Sequence, residues 1–162
     1  MHARRFTAGV YTCLMLLLAG YWMPFAQANA FLSLSPHQAS YSLSAHSEYW
    51  HATNKAITLE KILADPPEFE QAHHSEDLNF GYTQSDVWLK TELHNGASAP
   101  QRWLVQFEYP FLDYVTLYTL RQQGIVAQRS GSAVPVEQRA LAHRQAVFPL
   151  ELAANERVTL FI

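Results

Sequence analysis

The chain predicts an all-β fold, an antiparallel β-sandwich carrying one short helix, and three observations carry that reading. Residues 87–94 alternate, with Val87, Leu89, Thr91 and Leu93 on one row and Trp88, Lys90, Glu92 and His94 on the other. A period of two marks a strand with one face buried. Beyond Gly81 the chain is almost all strand and turn, with candidate strands at 87–94, 102–108, 112–120, 124–129, 145–152 and 157–162. Asn95-Gly96, Tyr109-Pro110, Gln123-Gly124, Gly131 and Ala154-Asn155 supply the turns between them, the spacing expected of a sandwich. Only one segment, ahead of Asp65-Pro66-Pro67, has helical spacing.

Taken in order, residues 31–47 are rich in Ser, Ala and His and read as a flexible leader. Glu48-Tyr49-Trp50-His51 reads as a first edge strand, which opens a domain spanning 48–162. Thr58 can cap a short helix whose Leu59, Ile62 and Leu63 share a face. Pro66 and Pro67 stop it, because proline continues no hydrogen-bond ladder and restricts its predecessor. Gly81 permits positive φ, and Thr83, Ser85 and Asp86 can bond nearby main chain, so 81–86 is a turn feeding the 87–94 strand. Asn95 reads as a turn residue. Trp103, Val105 and Phe107, then Phe148, Leu150 and Leu152, then Val158, Leu160 and Ile162, form apolar rows for the interior. Pro149 inside such a row points to an edge or a bulge.

Segment 1–30 has the form of an export signal. Arg4 and Arg5 precede an apolar stretch centred on Leu14-Met15-Leu16-Leu17-Leu18, and Ala28-Asn29-Ala30 places cleavage before Phe31. Ala26-Gln27-Ala28 is a second candidate site, and an uncleaved anchor is the competing reading of the segment. The single cysteine, Cys13, lies inside it, so the exported product would have no thiol and no disulfide. Without Arg4 and Arg5, nine basic side chains face fourteen acidic ones, a formal charge of −5 with no basic run. Nucleic acid is therefore not an expected partner. The stretch from Phe31 to Ile162 is long enough for one packed domain. Arg157 to Ile162 is a strand pattern with no polar tail, and the expectation is a fragment of a longer polypeptide.

Catalytic patterns are weak. His73-His74 with Glu76 and Asp77 is dense in ligand atoms, but adjacent histidines on an extended chain point apart, so a solvated loop is expected and no metal. There is no Gly-x-Ser-x-Gly, His-Glu-x-x-His or phosphate loop. Glu92 and Glu108 could form a glycosidase pair only if they left the solvent faces of their strands. No enzyme activity and no cofactor are expected of the chain. Trp88 and Tyr114 lie opposite the more aliphatic rows of their strands and are candidate stacking platforms for a sugar, the bland alternative being packing under loops or a second sheet. Asp113, Arg139, His143 and Arg144 can pair to anchor a loop, or bind a hydroxyl or carboxylate bidentately. The candidate ligand site is Trp88, Tyr114, Asp113 and Arg144.

Gly81-Tyr82, a few polar residues, Trp88, the alternating strand and Asn95 form a block that resembles a known family. Residues 57–63, Trp103-Leu104-Val105, 112–118, Arg139, His143-Arg144 and Val147-Phe148-Pro149-Leu150 are similar to its other segments, in order. The family is the type 2 extracellular domain of bacterial seven-transmembrane receptors with diverse intracellular signalling modules, and the resemblance covers roughly 45–162. It implies a jelly-roll-like sandwich akin to carbohydrate-binding modules, exported to the periplasmic face of the inner membrane. It also implies that membrane helices and an output module, such as a diguanylate cyclase or histidine kinase, follow the domain. The expected partner is a small molecule, a carbohydrate or carboxylate, with self-pairing as another use of the surface. A carbohydrate-binding module of a secreted enzyme is the alternative, and the codons that follow would discriminate the two.

Overall fold

The computed structural model describes residues 31–53, 57–72, 78–81 and 83–162. The signal-like segment 1–30, the His73-His74 cluster with Glu76 and Asp77, and Tyr82 lie outside the described residues. The described strands are β1 (Leu32–Leu34), β2 (Ser47–Ala52), β3 (Glu70–Gln71), β4 (Asp86–Asn95), β5 (Gln101–Gln106), β6 (Val115–Arg121), β7 (Gly124–Ser130), β8 (Val147–Leu152) and β9 (Arg157–Phe161). One α-helix, α1 (Leu59–Ala64), interrupts them. Seven strands form a major sheet in the order β3-β2-β4-β9-β6-β7, with β1 added beside β4, and β5 pairs with β8 in a minor sheet. The fold is the all-β sandwich that the alternation predicts.

β4 is the hub because its ten residues outrun each partner. β2 pairs with Asp86 to Thr91 on one edge, and β9 pairs with Lys90 to His94 on the other. Where β2 stops, β1 takes over its edge in parallel, Leu32 opposite Leu93 and Leu34 opposite Asn95. The leader is thus not loose. Leu32 and Leu34 are buried, and Tyr41 accepts a hydrogen bond from the Ser35 N–H at 2.7 Å. A strand this short shows no alternation against a polar composition.

Between the two sheets lies the larger core, where Leu32, Leu93, Leu117 and Leu160 of the major sheet meet Val105, Phe148, Leu150 and Leu152 of the minor one. Each such side chain, when fully buried, contributes about 1.5–3 kcal/mol. Trp103 and Phe107 are half-buried against this core, Trp103 edge-on to Tyr41 at 5.7 Å. Pro149, whose carbonyl accepts from Gln128 Nε2 at 3.0 Å, is exposed in β8, which pairs within its sheet only with β5. It stands where a residue without an N–H is tolerated.

The major sheet is covered on its other face as well. Leu59 and Ile62 of α1 pack against Ala52, Trp88 and Phe161. Leu63 is 42% exposed and does not join the buried face, since six residues of helix present one turn to the sheet and Leu59 and Ile62 occupy it. Residues 112–114, expected within a strand, instead form a loop. The Leu112 and Asp113 carbonyls accept hydrogen bonds from Ser132 and Ala133 rather than from a ladder partner.

Asn95 is more than a turn residue. It is fully buried, and its Nδ2 donates to the carbonyls of Ala99 at 3.0 Å and Ala153 at 2.7 Å, while Oδ1 accepts from the Ala97 N–H at 3.1 Å. It ties the β4–β5 turn to the β8–β9 turn, two segments that hold both sheets together at that end.

Candidate functional site

The face of the major sheet that carries α1 is only partly roofed. α1 and the chain after it cover Trp88 and Ala52, but further along β4 the same row continues as Lys90, Glu92 and His94. The uncovered part forms a trough. Its floor is Lys90 of β4, Thr159 and Phe161 of β9 and Leu120 of β6, and its wall is Ile62, Leu63, Pro66, Pro67 and Phe69. This depression has a volume of about 420 Å³. A second, of about 280 Å³, adjoins it through Leu120 and Thr159 and is lined by Phe31, Glu92, Arg121 and Arg157.

Charge is placed at both ends of the trough. Lys90 Nζ lies 2.9 Å from Glu48 Oε2, and Gln71 donates to the other Glu48 oxygen at 2.6 Å. Both partners of that pair are about a third exposed, so it contributes at most about 1 kcal/mol to stability. The Lys90 ammonium also sits 5.9 Å from the centre of the Phe69 ring. An ammonium has three donors, so Lys90 can serve Glu48 and still address a bound molecule. At the other end the Arg157 guanidinium stacks over Phe31 at 4.3 Å, and Phe31 meets His94 edge-on at 5.6 Å. The arrangement offers a floor with an apolar patch at Leu120 and Phe161 and a cation and a carboxylate near each end. It can hold a molecule with a hydrophobic face and several polar substituents.

On the face of β2 opposite to Glu48 and the trough, the Tyr49 hydroxyl donates to Glu70 at 2.7 Å across β2 and β3. The carboxylate that accepts this bond raises the Tyr49 pKa above its ordinary value, because ionising the phenol would remove the donor.

The four candidates drawn from the sequence do not form one pocket, and none of them lines the trough. Trp88 is not an exposed platform. It is 8% exposed under α1 and stacks on Tyr118 with ring centres 6.0 Å apart and planes inclined by 17°. The row that looked solvent-facing is covered at this point by α1, which precedes β4 in the chain and is separated from it by β3. Tyr114 is exposed at 75%. Asp113 accepts a hydrogen bond from Ser132 Oγ at 2.9 Å and forms no pair with an arginine among the described contacts. Arg144 is exposed and has no hydrogen-bond partner among the described residues. Arg139 does anchor a loop, but through carbonyls, donating to Val134 and His143 at 2.8 Å each.

Glu48, Phe69 and Lys90 were missed as site residues because they meet only when β2, the loop before β3 and β4 come together. The available signal was the pair Trp50 and Trp88, two large aromatics in rows otherwise polar, which implied a roofed surface.

Comparison with curated proteins finds no match. The family model described as 7TMR-DISM extracellular 2 matches residues 44–162, most of the chain and all of the sandwich from the turn before β2 onward. The chain therefore belongs to this family, the outward-facing, non-catalytic sensor domains of seven-transmembrane receptors.

Proposed function

We propose that the domain is the periplasmic ligand-sensing part of a bacterial seven-transmembrane receptor, and that its ligand lies in the trough between α1 and Phe31. The observation that supports this reading is the placement of Lys90 and Glu48 at one end of the Leu120–Phe161 apolar patch and Arg157 and Glu92 at the other. A small polyhydroxylated or carboxylated molecule with one apolar face suits that pattern, a sugar being one such compound. On this reading segment 1–30 is removed on export, the domain stands outside the inner membrane, and helices and a cytoplasmic output module follow it. Such a module would be a cyclase or a kinase, and the sensor's contribution is a change of shape. β4 and β9 form the trough floor and are also central to the major sheet, so occupancy would bear directly on the elements that organise the fold.

Thermal unfolding against a panel of sugars, dicarboxylates and amino acids tests the reading. A ligand at a hundredfold its Kd adds about 2.7 kcal/mol of stability. The stabilisation should be lost in Lys90→Met and Glu92→Gln, whose own folding is expected to change little. Stabilisation that survives in both variants would contradict the assignment.

A further inference from the structure

We infer that the molecule received in the trough is a zwitterion, an α-amino acid with an apolar side chain, its carboxylate on Arg157 and its ammonium on Glu92; the inference rests on the trough reading above. Among the described residues, the charged side chains that line the two adjoining depressions are Glu48 and Lys90 in the larger and Glu92, Arg121 and Arg157 in the smaller. Three of these are already neutralised. Lys90 pairs with Glu48, and Arg121 pairs with Glu156. Glu92 and Arg157 belong to no ion pair among the described residues.

Strand register makes their separation informative. Glu92 stands opposite Thr159 across β4 and β9, and His94 stands opposite Arg157, so Glu92 and Arg157 are diagonal neighbours on one face. Such positions lie about 7–8 Å apart, within reach of a glutamate and an arginine. The Arg157 guanidinium nevertheless stacks over Phe31, 4.3 Å from the ring centre. Phe31 leads into β1, on the opposite edge of β4 from β9, so the Arg157 side chain is drawn across β4. Its contact with Phe31 occupies one face of the guanidinium and leaves the N–H groups at the rim free. That rim can hold a carboxylate through two parallel bonds.

An α-amino acid fits between an acid and a base that do not meet, because it carries an ammonium and a carboxylate on one carbon. A neutral sugar would leave both Glu92 and Arg157 without a counter-charge, and a dicarboxylate would bring a second anion up to Glu92. Leu120 lies across Thr159 from Glu92, and Phe161 lies two residues along β9 in the same row. This apolar patch takes the side chain. The Lys90–Glu48 pair beyond it is neutral as a unit, so an uncharged side chain suits that end.

Isothermal titration of the exported protein with L-leucine, L-methionine and L-phenylalanine tests the inference, each compared with its amide, which lacks the carboxylate, and its N-acetyl form, which lacks the ammonium. The free amino acid should bind about tenfold or more tightly than either derivative. In Arg157→Gln the preference over the amide should fall to about twofold or less, while Arg157→Lys retains part of it. Glu92→Gln should abolish the preference over the N-acetyl form and leave the preference over the amide. Absence of binding by all three amino acids at 10-millimolar order, about 10 mM, overturns the inference. So does equal binding of the derivatives by the parent, a comparison that needs no variant to fold, and so do preferences that persist in Arg157→Gln and Glu92→Gln. Stabilisation by glucose or succinate that is lost in Lys90→Met, with no amino acid bound, overturns the zwitterion and leaves the trough reading standing.

Discussion

Replacing Asn95 with alanine should destabilise the domain more than any exposed substitution, although a turn asparagine would ordinarily be dispensable. The side chain is fully buried and makes four hydrogen bonds to main chain, three short ones to Ala97, Ala99 and Ala153 and a longer one to the Leu152 carbonyl at 3.4 Å. Each such bond contributes about 0.5–1.5 kcal/mol net, so the three short ones give about 1.5–4.5 kcal/mol. Leaving the Ala97 N–H and two carbonyls without partners adds to that loss. A domain of this size loses about 3–5 °C of Tm per kcal/mol, which places Asn95→Ala about 10 °C or more below the parent. Asn95→Asp is sharper, since it keeps the shape but turns an oxygen toward the carbonyls of Ala99 and Ala153. Its buried carboxyl would have a raised pKa, and the protonated acid can donate where the carboxylate cannot. Part of the lost stability should therefore return as pH falls toward about 4. Circular dichroism melts across that pH range measure both effects. A change in Tm under about 3 °C for Asn95→Ala would refute the assignment of Asn95 as the tie between the two turns.

Trp88→Ala should cost about 3–5 kcal/mol, because Trp88 fills the space beneath α1 and stacks on Tyr118. A Tm within a couple of degrees of the parent would return Trp88 to the surface. Gly131→Ala should be strongly destabilising or displace the 112–114 loop, since φ is +125° and an added Cβ would collide with the Asp113 carbonyl. Unfolding that matches the parent, with an unchanged spectrum for Tyr114, would contradict that packing.

Much of the sandwich was legible because its strands are long enough to alternate. β4, β5, β7, β8 and β9 all fall close to the positions expected from their apolar rows and turns. β1 was hidden because it contributes only Leu32 and Leu34, and its partners Leu93 and Asn95 lie far along the chain, beyond β2, α1 and β3. The treatment of β4 as one buried row and one solvent row failed for a related reason. Two rows can both be covered when a helix comes back over the sheet, and α1 covers Trp88 while leaving Lys90 and Glu92 open. Residue type gave a hint at Trp50 and Trp88, but only the register showed how far along β4 the roof extends. The trough was illegible for the same reason. Its residues come from β2, α1, the segment before β3, and from β4, β6 and β9, and no local pattern joins them.

The central claim, that this sensor domain receives its ligand on the open part of the α1-bearing face, is most directly tested by mapping amide chemical shifts. The isotopically labelled exported domain is titrated with whichever sugar, dicarboxylate or amino acid gives the largest thermal stabilisation. The account predicts saturable perturbations centred on Glu48, Phe69, Lys90, Glu92 and Thr159, around the trough floor and its wall. Perturbations centred instead on Asp113, Tyr114 and Arg144, with the trough residues unmoved, would contradict it.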